Sequence, residues 1–274
     1  MWMKELFGVE KPIIALLHLR PLPGDPLFPA GGSIEDVVRI AREELTALQD
    51  GGVDGVLIAN EFSLPYEKNV SLVTVAAMGY VVGALRPSIR IPFGVNVVSN
   101  PSAAIELAAA TGASFVRAAF TGAYMGEDGI IDTDVAAVIR RKKALGLDNL
   151  RLLYKANPES SAYLAERPIE KIVKSMIFHC FPDALCVSGT SAGSETDSSL
   201  IDRVRAVAGD TPVLCNTGCT AANIKEKLDH CDGACVGTAF KKDGKFSNVV
   251  DPARVVEFMA RVREYREEQG GKNQ

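Results

Sequence analysis

The sequence predicts a single closed (β/α)8 barrel, and three observations carry that expectation. Short apolar, β-branched runs recur along the chain at 13–19, 55–60, 93–98, 115–120, 151–157, 184–188, 213–217 and 234–238. Each is followed by a longer stretch of helical spacing, the pattern of parallel strands joined by crossover helices. No Pro/Gly/Ser-rich linker breaks the series, and 274 residues is the length of one such barrel. An open doubly wound sheet is the runner-up. No Gly-x-Gly-x-x-Gly follows the first run, as dinucleotide binding prefers.

The first strand, Ile13 to Leu19, is apolar except at His18, as a strand covered on both faces must be. A helix over 36–48 follows, announced by Ser33 three residues ahead of Asp36. The second strand leads into the apolar helix 72–85, and the third into 103–111, stopped by Gly112. Helix 134–145 after the fourth strand ends at Gly146, and 169–178 follows the fifth. The sixth strand gives helix 200–207, ended by Gly209; the seventh gives 221–228, opened by Thr220; the eighth gives 252–266, with Asp251 ahead of Pro252. The domain is expected to span 1–274, with 1–11 a cap segment and 268–274 a frayed tail. Trp2 and Phe7 either plug the barrel bottom or serve a homo-oligomer contact; the plug is the blander use. Loops 21–32, 121–132, 158–168 and 189–199 belong at one rim.

Composition narrows the function classes. With 47% hydrophobic residues and 30 basic against 34 acidic side chains, net charge −4, the chain reads as a soluble globular protein. The acidic excess argues against a nucleic-acid surface. The longest nearly apolar stretch, 72–85, is too short and mixed to span a bilayer. The N-terminus has no apolar run leading to a small-residue cleavage site, so a cytoplasmic location is expected. The six cysteines read as reduced thiols, with no disulfide framework.

Barrel chemistry sits at the C-terminal strand ends, where the βα loops are free to vary. Here those ends carry His18, Asn60 and Glu61, Asn96, Arg117, Lys155 and Asn157, Ser188, Asn216 and Thr238. Period-two alternation turns His18 inward with Ile14 and Leu16, Lys155 with Leu153, Asn96 with Gly94, and Ser188 with Ala184 and Cys186. Asn60, Asn96 and Ser188 serve equally well as hydrogen-bonded strand ends. Arg117 and Lys155 lie in apolar strands, and a buried cation without a partner is costly, so each requires Glu61 or an anionic ligand. The ligand is the favoured reading. Glycine turns after the seventh and eighth strands, Asn216-Thr217-Gly218-Cys219-Thr220 and Val236-Gly237-Thr238, fall where barrels bind phosphate. Ser188 and Gly189 are assigned to help there, and Lys241 and Lys242 just beyond are read as solvated. Glu61 is the only acid in this set, so no resident metal and no cofactor are expected.

Several runs resemble the BtpA/SgcQ family. They include His18-Leu19-Arg20-Pro21-Leu22-Pro23-Gly24, Phe93-Gly94-Val95-Asn96-Val97, Thr121-Gly122-Ala123-Tyr124 and Val236-Gly237-Thr238-Ala239-Phe240-Lys241-Lys242-Asp243-Gly244. Asn60-Glu61-Phe62-Ser63-Leu64-Pro65-Tyr66 is most similar to the SgcQ branch. The resemblance covers almost the whole chain and implies a barrel of the ribulose-phosphate-binding type. It links BtpA-type members to photosystem I biogenesis and the SgcQ branch to sugar metabolism. Many BtpA-like members carry Lys-His at the end of the fifth strand; this chain has Lys155-Ala156-Asn157, so no strand-five histidine is available.

The expected function is therefore a barrel enzyme acting on a small phosphorylated sugar or related metabolite by isomerase- or aldolase-like chemistry. Glu61 or His18 moves a proton, Arg117 and Lys155 stabilise an enediolate, and Lys155 is the alternative Schiff-base lysine. Asn60, Asn96, Asn157 and Asn216 are assigned to the substrate, and Ser188, Gly189, Gly218, Gly237 and Thr238 to its phosphate. The rival readings are a non-catalytic assembly factor of the BtpA type and a sugar-phosphate sensor.

Overall fold

In the computed structural model, which describes residues 2–272, each strand of the barrel is buried on two faces at once. The strands are β1 (Ile13–His18), β2 (Gly55–Ala59), β3 (Phe93–Asn96), β4 (Phe115–Ala118), β7 (Arg151–Lys155), β9 (Ala184–Val187), β10 (Val213–Cys215) and β11 (Ala234–Val236). They close in the order β1-β11-β10-β9-β7-β4-β3-β2, all parallel, with Ile14 opposite Cys235 at the seam where the last strand meets the first. The crossover helices α2 (Ile34–Asp50), α3 (Leu72–Leu85), α4 (Pro101–Thr111), α5 (Val135–Ala144), α6 (Ile169–Cys180), α7 (Ser198–Ala208), α8 (Ile224–His230) and α9 (Pro252–Lys272) supply the outer ring.

Alternation separates two apolar layers. Ile13, Ala15 and Leu17 of β1 join the layer under the helices, whereas Ile14 and Leu16 join Leu57, Phe115, Leu153, Ala184, Cys186, Leu214 and Cys235 inside the barrel. The same two-residue period that points these side chains inward carries His18, Arg117 and Asn216 to the mouth. The N-terminal residues close the opposite end. Helix α1 (Trp2–Phe7) seats Met3 and Phe7 among the inner residues, with the Phe7 ring edge-on to Phe115 at 5.7 Å. Gly55 makes room, since a Cβ there would lie 2.6 Å from the Phe7 ring. These aromatics thus act as the plug.

The predicted helices are present, most with ends moved by a few residues. Ser33 caps α2 through a 3.1 Å bond from the Glu35 N–H, and Gly112 takes the left-handed conformation at the end of α4. Thr220 is not the cap of α8: that helix starts later, behind Asn223. The rim loops hold a feature absent from the sequence reading, a three-stranded antiparallel sheet of β5 (Ala123–Gly126), β6 (Gly129–Asp132) and β8 (Ser161–Tyr163). It ties the loop after β4 to the loop after β7 and walls one side of the mouth. No helix among the described residues is long and apolar enough to cross a membrane.

Candidate active site at the barrel mouth

The mouth holds a cleft of two chambers. The first, about 790 Å³ of open space, is framed by β1, β10 and β11; the second, about 1010 Å³, lies towards β3, β4 and β7. Glu61, Glu159 and Ala192 border both chambers.

A chain of alternating charges runs between them. Arg117 is 3% exposed; its Nη1 donates to Asn216 Oδ1 at 2.8 Å, and its Nη2 lies 3.6 Å from Glu61 Oε1. Asn216 Nδ2 donates to Glu159 Oε1 at 2.6 Å and to Ser188 Oγ at 2.9 Å. Ser188 Oγ also donates to Glu159 Oε1, and Lys155 Nζ donates to Glu159 Oε2 at 3.0 Å. Burial alone would raise the Glu159 pKa, but Lys155 and Arg117 outweigh it and hold the carboxyl below its usual range. Lys155 therefore has a counterion that the sequence reading did not supply. Glu159 was missed because it sits in a loop; the signal was the unpaired charge of Lys155 in an apolar strand, with the nearest following acid four residues on.

Glu61 is held more loosely. Its Oε2 accepts from the Tyr66 hydroxyl at 3.1 Å, while among the described residues Oε1 has only the longer approach from Arg117. Across the chamber His18 is 4% exposed, and neither ring nitrogen has a hydrogen-bond partner among the described residues. Its ring lies 5.1 Å from Phe246, which stacks in turn on Phe62 at 4.9 Å. Burial first, then the charges of Lys241, Arg117 and Arg20, push its pKa well below the ordinary histidine value, so the imidazole is neutral.

The structure sorts the sequence-predicted residues. His18, Glu61, Arg117, Asn216, Gly218, Gly237 and Thr238 line the first chamber, and Asn96 and Lys155 line the second. Asn60, Asn157, Ser188 and Gly189 do not line the cleft. Asn60 Oδ1 accepts from the Val98 N–H at 2.8 Å, and Asn157 clasps Ser188 through its backbone N–H and C=O. The Gly189 N–H is taken by Thr217 Oγ1 at 2.6 Å, so it is not free for an anion. Gly218, at φ +73°, serves close chain packing as well, since a Cβ there would lie 2.2 Å from the Glu195 Cα.

The eighth strand is followed by a 3-10 turn, Thr238–Phe240, instead of a full helix. The cation at this end is Arg254, from the first turn of α9, which lines the chamber with Nε bonded to the Ala239 carbonyl at 2.9 Å. It was missed because it lies well past the glycine turn. Lys241 is a second correction: it is fully buried and pairs with Glu44 at 2.9 Å, whereas Lys242 is exposed.

The neutral His18 gives a pH signature. On acidification through about pH 6.5, the unfolded histidine binds a proton that the native one refuses, so the unfolded state holds more protons and stability falls. Thermal melts between pH 8 and pH 5 are expected to show a steeper acid-side loss for the wild type than for His18→Gln, approaching about 1.4 kcal/mol per pH unit of difference. Parallel curves would contradict the burial argument.

The sequence matches the BtpA family over residues 9–264. It is 49% identical over 265 residues to the sgc region protein SgcQ of Escherichia coli (strain K12), covering 97% of this chain and 99% of that one. To the photosystem I biogenesis protein BtpA of Synechocystis sp. it is 28% identical over 263 residues, covering 95% and 91%. In fold it is similar to the (S)-3-O-geranylgeranylglyceryl phosphate synthase of Thermoplasma acidophilum, with a TM-score of 0.58, 14% identity and coverage of 96% and 97%.

Proposed function

We propose that this chain, which belongs to the BtpA family, is a barrel enzyme that moves a proton beside a carbonyl of a small phosphorylated sugar or related metabolite. One observation carries the reading: a neutral, buried His18, its ring nitrogens without a partner among the described residues, shares a chamber with Glu61, Arg117 and Arg254. An unsatisfied buried imidazole is costly unless a ligand completes it.

In this reading the phosphate lies by Gly237, Thr238 and Arg254. Glu61 takes the proton from the carbon next to the carbonyl and returns it to the neighbouring carbon. The Arg117 guanidinium steadies the enediolate oxygens, and neutral His18 exchanges a proton between them. The Lys155–Glu159 ion pair favours this isomerase-like course over a Schiff base, because an ammonium held by a carboxylate is not a nucleophile. The glyceryl phosphate synthase of similar fold was solved with sn-glycerol-1-phosphate, which supports a phosphate ester as the ligand class.

A thermal-shift screen against phosphorylated sugars and their free counterparts tests this. A phosphorylated ligand at 100 times its Kd is expected to add about 2.7 kcal/mol to native stability. Arg254→Ala is expected to remove most of that shift while lowering the ligand-free melt only slightly, through loss of the Ala239 hydrogen bond. No response to any ester would sink the reading and move the search to protein partners.

A further inference from the structure

We propose that the substrate is a phosphate monoester whose far end is polar but not anionic, and that Asn96 reads that end; the inference rests on the phosphate reading above. The two chambers differ in charge. Glu61 and Glu159 border both; the first adds Arg117 and Arg254, which balance them, whereas the second adds Glu127 and Asp128 with Lys155 as its cation and is left net negative. Lys155 is already matched by Glu159 at 3.0 Å. Neither Glu127 nor Asp128 makes an ion pair among the described residues, and both are exposed at the rim. A second phosphate or a carboxylate entering this chamber would meet uncompensated like charge.

The second, independent observation is Asn96. It is 4% exposed and lines this chamber, and its carboxamide, which hydrogen-bonds to no described residue, opens to the cleft and is not sealed from it. Its amide presents donors and an acceptor to whatever enters the chamber, so a ligand that displaces cleft water has to supply both kinds of partner. Hydroxyl groups do so, and an ammonium group would add charge complementarity with the rim acids. The orientation follows: phosphate by Gly237 and Arg254, the reacting carbons beside Glu61, and the hydroxylated or ammonium-bearing end against Asn96.

Binding is measured on the full chain with three probes: inorganic phosphate, a hexose 6-phosphate, and the hexose 1,6-bisphosphate of the same skeleton. The monoester is expected to bind at least about tenfold more tightly than the bisphosphate, a difference of 1.4 kcal/mol. Asn96→Ala is expected to weaken the monoester by about tenfold without changing inorganic phosphate. The surface variant Glu127→Lys/Asp128→Lys leaves the barrel strands untouched and is expected to close most of the gap between the two esters. If phosphate binds but the bisphosphate matches or exceeds the monoester, or the lysine variant leaves the gap intact, this inference falls and the phosphate reading stands. If neither phosphate nor either ester binds, both fall together.

Discussion

Glu61→Gln is expected to lower kcat for the phosphorylated substrate by about 10² to 10⁴, the usual contribution of a positioned general base. The substitution removes the charge and the proton-accepting capacity while keeping the side-chain length. Its amide oxygen still accepts from Tyr66, whose hydroxyl now donates to Glu61 Oε2 at 3.1 Å and to the Glu61 carbonyl at 3.0 Å. Arg117 loses a carboxylate 3.6 Å away but keeps its 2.8 Å bond to Asn216. Binding of the phosphate end, which depends on Gly237, Thr238 and Arg254, is expected to hold. The signature is therefore a collapse of kcat with an unchanged ligand-induced thermal shift. Glu61→Asp, which keeps the carboxylate one methylene short, recovers part of the rate. A Gln variant that turns over at close to the wild-type rate would remove Glu61 from the chemistry and leave His18 as the base.

The barrel was legible because its rule is local. A strand covered on both faces must be apolar throughout, and a polar residue on the inward phase then has one place to go, the mouth. That reasoning phased His18 with Ile14 and Leu16 and put Arg117 and Asn216 at strand ends, and all three line the mouth. It did not supply the partners of buried charges, because these come from loops and distant helices whose course no periodicity fixes. Lys155 meets Glu159 only because the loop after β7 turns back over the strand ends, and Lys241 meets Glu44 across a sequence separation of 197 residues. The small sheet at the rim was hidden for a related reason. Its strands, Ala123–Gly126 and Gly129–Asp132, are four residues each, too short for alternation to stand out from a loop. Asn60 and Asn157 show the converse: polar residues at strand ends that bond neighbouring backbone and lie outside the cleft lining.

The Lys241–Glu44 pair predicts the largest change in stability. Both side chains are out of water, at 0% and 3% exposure, with Nζ to Oε2 at 2.9 Å. Glu44 also accepts from the Val250 N–H at 3.1 Å and faces Arg20 at 3.8 Å, so one carboxylate joins α2 to the chain that follows the eighth strand. Burial lowers the Lys241 pKa, and Glu44 opposes that shift. Glu44→Ala strands the ammonium in the interior, which costs about 3–5 kcal/mol in pairs of this kind. At about 2–4 °C per kcal/mol, Tm is expected to drop by roughly 10 °C. Replacing both members with apolar residues of similar volume, Glu44→Leu with Lys241→Met, is expected to recover much of the loss, because the penalty is the unmatched charge and not the missing attraction. Equal destabilisation in the single and double variants would mean instead that the Val250 contact and packing dominate. Lys241 lies close behind Gly237 and Thr238, so Glu44→Ala is also expected to weaken phosphate binding more than its distance from the cleft suggests. That coupling would identify the pair as the brace of the anion-binding turn.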